Sequence, residues 1–187
     1  MKGSGAAATA TALAQGPQIA LAQDDKVQAK GWKTIELNVN GKSQKVKVEN
    51  RTTLLEALRY GLNLTGCKPI STDGACCGGS TVLMDGKPIT AGSTLAVACV
   101  GKKIQTVESL GGAKPDAVPV AFVEHDAMQC GFCTPGFVMG VRAFLDKHPN
   151  ATEEEIRAGL NGNLCRCGTY ANVIQAAVAV VKGGQGG

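Results

Sequence analysis

Hydrophobic and polar residues alternate in two neighbouring segments, residues 34–39 and residues 46–48. An Asn-Gly pair at positions 40–41 lies between them, and alternation on both sides of Asn-Gly predicts a β-hairpin. A capping box at residues 53–56 then precedes leucines at helical spacing, which predicts a helix with one apolar face. This part of the chain is therefore expected to form a hairpin followed by a helix.

The next segment, residues 63–80, is a long loop that contains glycines and cysteines. Strand patterns follow at residues 81–84 and 104–107, and a short helix is expected between them at residues 94–99. The order of hairpin, helix, loop, strand and strand is that of a small β-grasp domain.

The strand patterns end at a stretch that contains glycine and proline, residues 111–116, which we interpret as a linker. Helical patterns follow at residues 116–127, 135–147, 153–160 and 170–181. Four short helices with brief connections suggest a compact bundle. The predicted fold class is α+β, with a β-grasp ferredoxin-like unit at residues 32–110, the linker, and a four-helix unit at residues 117–183.

Residues 1–31 form a separate segment, because residues 6–22 are rich in alanine and threonine and end in Ala-Leu-Ala. Small residues of this kind precede the cleavage site of a signal peptide. The stretch resembles the later part of a twin-arginine export signal, and a disordered tail is the alternative. It is too weakly apolar for a transmembrane helix. We therefore expect a periplasmic protein without a transmembrane segment of its own, with a cytoplasmic protein as the alternative.

Composition narrows the function in two ways. The formal net charge is only +4, and no block of lysine and arginine with interleaved aromatics occurs, so nucleic acid is not an expected partner. Aromatic residues make up 4% of the chain, so part of its order must come from something other than a large aromatic core. Eight cysteines can provide that order, either as disulfides or as metal ligands.

Four of the cysteines form two pairs, C-x-x-C at residues 130–133 and C-x-C at residues 165–167, each directly before a predicted helix. The positive end of a helix dipole favours deprotonated sulfur. Zinc usually takes wider spacings than C-x-C, and neighbours in C-x-C rarely form a disulfide, whereas an iron–sulfur cluster requires four thiolates. All three kinds of site remain possible on spacing alone. Four nearby glycines leave the backbone free to approach the sulfurs and to offer amide groups: Gly131, Gly136, Gly162 and Gly168.

Two longer motifs carry a family resemblance: Gln-Cys-Gly-Phe-Cys-Thr-Pro-Gly-Phe at residues 129–137 and Asn-Gly-Asn-Leu-Cys-Arg-Cys-Gly at residues 161–168. They resemble the cluster signature of the iron–sulfur small subunits of the xanthine oxidase family, the molybdenum hydroxylases. Shorter matches lie at residues 51–59, 64–68 and 81–86. The resemblance implies one [2Fe–2S] cluster held by Cys130, Cys133, Cys165 and Cys167. It also implies that Gln129 and Cys167 approach the pterin cofactor of a large subunit.

The N-terminal unit departs from the family pattern, which is a plant-type C-x₄-C-x₂-C motif with a fourth cysteine further on. Alignment on residues 65–66 places the first three ligands at Ser71, Cys76 and Gly79. Alignment on residues 81–83 places the four ligands at Thr72, Cys77, Ser80 and Gly92. Either register retains one ligand, although four cysteines lie nearby: Cys67, Cys76, Cys77 and Cys99. They could hold a second, relocated [2Fe–2S] cluster, form disulfides, or be buried thiols.

The resemblance implies an electron-transfer subunit with no catalytic residue of its own. Electrons would come from a molybdopterin cofactor on a large subunit and pass to a flavin subunit or a cytochrome. Resemblance to periplasmic aldehyde dehydrogenases implies an aldehyde substrate for the complex. The rival hypotheses are a stand-alone two-cluster ferredoxin-like electron carrier and a structural zinc protein.

Overall fold

The computed structural model of the protein describes residues 31–70 and 77–184. Within these residues one mixed sheet and a set of helices occur, which confirms the predicted α+β class. The strands are β1 (Lys33–Val39), β2 (Lys42–Val48), β3 (Thr81–Met84), β4 (Lys87–Thr90) and β5 (Lys103–Gln105). Their order in the sheet is β2-β1-β5-β3-β4. Strand β1 pairs in parallel with β5, and the other neighbouring pairs are antiparallel.

The predicted hairpin is formed by β1 and β2. Asn40 and Gly41 both have positive φ angles, of 53° and 76°, which is the conformation of the two central residues of a type I′ turn. The alternating pattern places Leu37, Val39 and Val48 in the core, all completely buried.

A short helix packs on the sheet and completes the first core. Helix α1 (Leu54–Glu56) begins at the predicted capping box, in which Thr53 and Glu56 satisfy each other's backbone amides. Its chain continues in a wider helical turn, Ala57–Gly61. The core of this unit contains apolar residues from the sheet, from this helical segment and from the loops: Leu37, Val39, Val48, Leu54, Leu58, Val82, Ile104, Cys67 and Cys99.

Two sequence predictions in this unit need correction, and one strand was not predicted. The strand expected at residues 104–107 is β5, which ends at Gln105 and is followed by a 3₁₀ turn, Val107–Leu110. The short helix expected at residues 94–99 is a 3₁₀ turn, Ala96–Cys99. Strand β4 was not predicted, because it is a four-residue edge strand whose lysine and proline interrupt any apolar alternation.

The remaining helices build a second core. They are α2 (Ala117–Glu124), α3 (Thr134–Lys147), α4 (Glu153–Gly159) and α5 (Tyr170–Gly184). Helix α2 is shorter than the predicted 116–127, because Asp126 has a positive φ of 48° and turns the chain. The core residues come from all four helices and include Val118, Phe122, Phe137, Val141, Ile156, Val173 and Ala177. None of the helices in the described ranges is long and apolar enough to cross a membrane.

The two cores meet where β3 packs on α3. Leu83 of β3 forms a small buried cluster with Met139 and Ala143 of α3. The exact unit boundaries stay a prediction, and the signal-like segment lies outside the described residues except for its last residue, Gly31.

Candidate metal centre

The two cysteine pairs lie in two loops of the helical unit. Cys130 and Cys133 lie between α2 and α3, and Cys133 directly precedes the first residue of α3. Cys165 and Cys167 lie between α4 and α5. Gly131 has a φ of +76°, a conformation that glycine adopts without strain, so the C-x-x-C loop can bend back on itself.

The folded chain brings the four sulfurs together in a crossed pairing. The side chains of Cys133 and Cys165 interact with each other: the contact raises the pKa of Cys133 and lowers the pKa of Cys165. The side chain of Cys167 likewise interacts with the side chain of Cys130, and the contact raises the pKa of Cys167. Each contact therefore joins one cysteine of the C-x-x-C loop to one cysteine of the C-x-C loop.

The two contacts differ in their access to solvent. Cys165 is buried and Cys133 is half-buried, whereas Cys130 and Cys167 are both exposed. The site therefore has an inner pair of thiols and an outer pair at the molecular surface.

Hydrogen-bond donors surround the inner sulfur of Cys165. The Thr169 hydroxyl lies 3.2 Å from its Sγ atom. Burial raises the pKa of the Cys165 thiol, but hydrogen bonds from Thr169, Cys133 and Gly168 outweigh burial and lower the pKa to about 7. Tyr170 accepts a hydrogen bond of 2.8 Å from the Cys165 backbone amide, which fixes the loop that carries the sulfur. This environment stabilises a thiolate.

The neighbouring thiols respond to one another. Burial, followed by the hydrogen bond and charge of Cys165, raises the pKa of Cys133 to about 12. The backbone amide of Cys130 lowers the pKa of Cys167. The contact between the Cys167 and Cys130 side chains and the loss of solvent raise it by more, so the pKa of Cys167 is higher than usual. Four thiols this close cannot all ionise easily without a positive charge among them, which is what a metal centre provides.

The donor set fits a two-iron cluster better than a single ion. A structural zinc ion requires four ligands around one point at about 2.0–2.3 Å. Within residues 31–70 and 77–184, no three His, Cys, Asp or Glu side chains are arranged around one ion in that way. Four cysteines in two contacting pairs are instead the ligand set of a [2Fe–2S] cluster.

Comparison with known proteins agrees with this chemistry. Residues 106–178 match the family described as the [2Fe-2S] binding domain. The nicotine 6-hydroxylase small subunit of Paenarthrobacter nicotinovorans is 41% identical over 142 residues, which cover 76% of this chain and 86% of that one. The chain belongs to the iron–sulfur small subunits of the molybdenum hydroxylases. The sequence-based family assignment and its electron-transfer function are thereby confirmed.

Two further relatives of this small-subunit family are informative. The aldehyde oxidoreductase iron–sulfur-binding subunit of Escherichia coli O157:H7 is 41% identical over 160 residues, which cover 76% of this chain and 69% of that one. The structure of quinoline 2-oxidoreductase from Pseudomonas putida 86 contains a chain that is 39% identical, with a TM-score of 0.78. That similarity covers 84% of this chain and 99% of the other.

In this small subunit, Gln129 and the outer pair share an exposed surface. Gln129, Cys130 and Cys167 are all exposed. Two apolar side chains from the same loops are exposed beside them, Phe132 at 42% and Leu164 at 56%. We refer to these five residues as the cysteine face. An apolar surface with an open sulfur pair is suited to contact with another subunit.

The cysteines of the N-terminal unit have different surroundings from those of the cysteine pairs. Cys67 and Cys99 are buried in the first core, with exposed fractions of 3% and 0%. Burial, followed by the charge of Glu108, raises the pKa of Cys67 to about 12 against the opposing effect of Arg59 and Lys68. Burial also raises the pKa of Cys99.

Of the other two N-terminal cysteines, the structure describes Cys77, which lies shortly before β3. Cys77 is half-buried, and its carbonyl accepts a hydrogen bond of 2.9 Å from Leu164 in the C-x-C loop. Cys76 lies outside the described residues. The seven described cysteines include none that forms a disulfide. The second cluster stays a prediction.

The sequence analysis did not identify the residues that hold the cysteine loops against the N-terminal unit. Asn163 is buried and donates from Nδ2 to the Gly78 carbonyl across 3.2 Å, joining the C-x-C loop to the N-terminal unit. Gly136 packs against Gly78, and the Gly168 amide contributes to the Cys165 environment. The sequence gives one hint of this contact, the Asn-Gly-Asn stretch shortly before Cys165. That composition is common in turns, so it does not by itself indicate a buried asparagine.

Proposed function

We propose that this chain is the electron-transfer subunit of a molybdopterin-dependent oxidoreductase, with Cys130, Cys133, Cys165 and Cys167 as the ligands of its [2Fe–2S] cluster. The observation that carries the proposal is the crossed contact of the four sulfurs, Cys130 with Cys167 and Cys133 with Cys165. When bound, the cluster supplies one-electron transfer between the molybdenum cofactor of a large subunit and an acceptor.

The crossed contacts suggest how the ligands are shared. Cys130 and Cys167 would hold one iron near the surface, and Cys133 and Cys165 would hold the other iron further inside. Thr169 and the amide of Gly168 stabilise negative charge on the inner Cys165 sulfur. Such hydrogen bonds raise the reduction potential of a cluster, because they favour its more negative state.

The cysteine face is the proposed contact with the large subunit. Phe132 and Leu164 supply apolar area, and burial of exposed aromatic side chains contributes strongly to interfaces. Gln129 supplies an exposed amide group that can donate and accept hydrogen bonds, so we assign it, with Cys167, to the approach of the pterin.

The architecture supports finer parts of the proposal. We assign residues 32–110 to a β-grasp ferredoxin-like unit, since a helix packs on a mixed sheet whose first and last strands are parallel neighbours. Residues 117–183 form the cluster-binding four-helix unit. We further propose a periplasmic location and a flavin subunit or cytochrome as acceptor, in keeping with the signal-like composition of residues 6–22.

An aldehyde is the proposed substrate of the complex, supported by the likeness to the aldehyde oxidoreductase subunit of E. coli. The nicotine 6-hydroxylase small subunit is equally similar, so an N-heterocycle is the second candidate. The chain described here supplies no group to substrate chemistry, and discrimination between the candidates belongs to the large subunit.

Isolation of the native complex through a tag on this chain tests the proposal. We expect molybdenum in the purified complex, and bleaching of the iron–sulfur absorbance when benzaldehyde is added anaerobically. Nicotinate serves as the matched N-heterocyclic probe. Iron without molybdenum would favour the stand-alone carrier, and zinc without iron would refute the electron-transfer function.

A further inference from the structure

We propose that this chain carries a single [2Fe–2S] cluster, the one in the helical unit, and that the N-terminal unit binds none. The proposal rests on the proposed function, because it takes the cluster of the helical unit as given. It departs from the family pattern, in which a plant-type motif occupies the loop before β3.

The fold brings together two of the positions where ligands are expected. In the register aligned on residues 81–83, the third and fourth ligands fall at Ser80 and Gly92. These residues are buried neighbours: the Gly92 amide donates to Ser80 Oγ across 3.3 Å. The Ala91 amide also donates to the Ser80 carbonyl across 3.0 Å. The two positions are therefore as close together as two ligands of one cluster must be. They carry a serine hydroxyl and a glycine amide, which bond to each other, in place of the two sulfurs that a cluster needs.

The other register fails at its third position. That register places the ligand at Gly79, where an added Cβ would lie 2.4 Å from the Ile70 side chain. Gly79 itself has no side chain that could bind iron, so this register lacks its third ligand.

The buried thiols nearby do not replace the missing ligands. Cys67 Sγ donates to the Ser80 carbonyl across 3.4 Å, and Cys99 Sγ donates to the Leu95 carbonyl across 3.4 Å. A thiolate ligand needs donors around it, because a carbonyl oxygen next to a thiolate repels it. Both thiols are therefore placed as protonated donors.

The contrast with Cys165 shows what a ligand environment looks like in this fold. The Cys165 sulfur lies 3.2 Å from the Thr169 hydroxyl, which can donate a hydrogen bond to a thiolate. Cys67 and Cys99 face carbonyl oxygens instead. With Cys99 bound to its own turn, fewer than four cysteines remain for an N-terminal cluster, which requires four.

A single cluster changes the electron route. Electrons enter and leave through the same centre, so the acceptor must approach the helical unit and not the sheet. Cys67 and Cys99 then belong to the apolar core, in which free cysteine behaves as a small hydrophobic residue.

Iron and acid-labile sulfide counts on the full chain test the inference. The wild-type chain is reconstituted anaerobically with ferrous iron and sulfide, in parallel with the variants Cys133→Ser and Cys67→Ala. We expect about two irons per wild-type chain, nearly none in Cys133→Ser, and about two in Cys67→Ala, since a [2Fe–2S] cluster contains two irons.

The outcomes separate this inference from the proposed function. About four irons in the wild type, with about two left in Cys133→Ser, would overturn the single-cluster inference and leave the proposed function intact. Iron that survives Cys133→Ser from a wild-type count of two would place the cluster in the N-terminal unit and overturn both. Absence of iron from the wild type would overturn the proposed function and the single cluster with it. Circular dichroism checks that Cys67→Ala folds. If this variant does not fold, the iron counts of the wild type and Cys133→Ser still decide whether there is one cluster or two.

Discussion

Substitution of Gly136 by alanine tests the contact that joins helix α3, which follows the C-x-x-C loop, to the N-terminal unit. A Cβ atom at this position would lie 2.0 Å from the Gly78 carbonyl oxygen and 3.2 Å from Gly79 Cα. The obstacle is backbone, which cannot rotate away as a side chain can. The Gly78 carbonyl is also held in place by Thr81 and Asn163 through three hydrogen bonds of 2.8–3.2 Å.

The expected cost of Gly136→Ala follows from two opposing effects. Overpacking a tight contact costs roughly 1–3 kcal/mol, and a backbone obstacle places this case at the upper end. Alanine in place of glycine within a helix returns up to about 1 kcal/mol. The free energy of unfolding should therefore fall by about 2 kcal/mol. In a chain of this length that corresponds to a lower melting temperature by about 4–8 °C.

Thermal unfolding of the cluster-loaded chain, followed by circular dichroism under argon, measures this effect. Gly162→Ala is the matched control, because an added Cβ at Gly162 has nothing within 4 Å and the residue's φ is not positive. The control should melt within about 2 °C of the wild type, as surface substitutions do. If Gly136→Ala also melts within that range, the close packing of α3 against the Gly78 loop is refuted.

Three further predictions concern the same molecule. Asn163→Asp should lower the free energy of unfolding by about 2 kcal/mol in urea titrations, since a carboxylate would then face the Gly78 carbonyl; an unchanged midpoint would contradict this. Phe132→Asp should weaken binding to the proposed large subunit at least tenfold, about 1.4 kcal/mol, in titration calorimetry, whereas Val100→Asp, at an exposed apolar site on the N-terminal unit, should not. Hydrogen bonds from the Thr152 amide and hydroxyl lower the pKa of Glu155. The capping box therefore contributes stability above the unfolded pKa of 4.5 that is lost as the pH falls through the lower folded pKa. Glu155→Gln should flatten this part of the pH dependence of stability, and an unaltered slope would argue against it.

Local patterns predicted much of the fold because the elements concerned depend on neighbouring residues. The hairpin turn at Asn40 and the capping boxes at Thr53 and Thr152 are each determined within a few residues of sequence. Edge strand β4 could not be predicted in that way. It is stabilised by pairing with β3, not by its own composition.

In the candidate site, too, some features follow from local sequence and others depend on distant residues. Placement of both cysteine pairs before helices could be read from residue spacing, and the family resemblance added the expected cluster. The crossed contacts of Cys133 with Cys165 and of Cys130 with Cys167 depend on how α3 and α5 pack. The partner of Asn163 lies 85 residues away in the chain, so no local pattern could indicate it. Nor could spacing reveal that the Cys67 and Cys99 thiols donate to carbonyl groups.

Electron paramagnetic resonance of the dithionite-reduced full chain tests the central claim most directly, namely that the four cysteines of the helical unit hold a [2Fe–2S] cluster. The account predicts one spin-half signal in the wild type and its loss in Cys165→Ser, which removes the inner sulfur. Cys99→Ser, a buried thiol outside the centre, should keep the signal. A signal of wild-type intensity in Cys165→Ser, or none in the reconstituted wild type, would contradict the account.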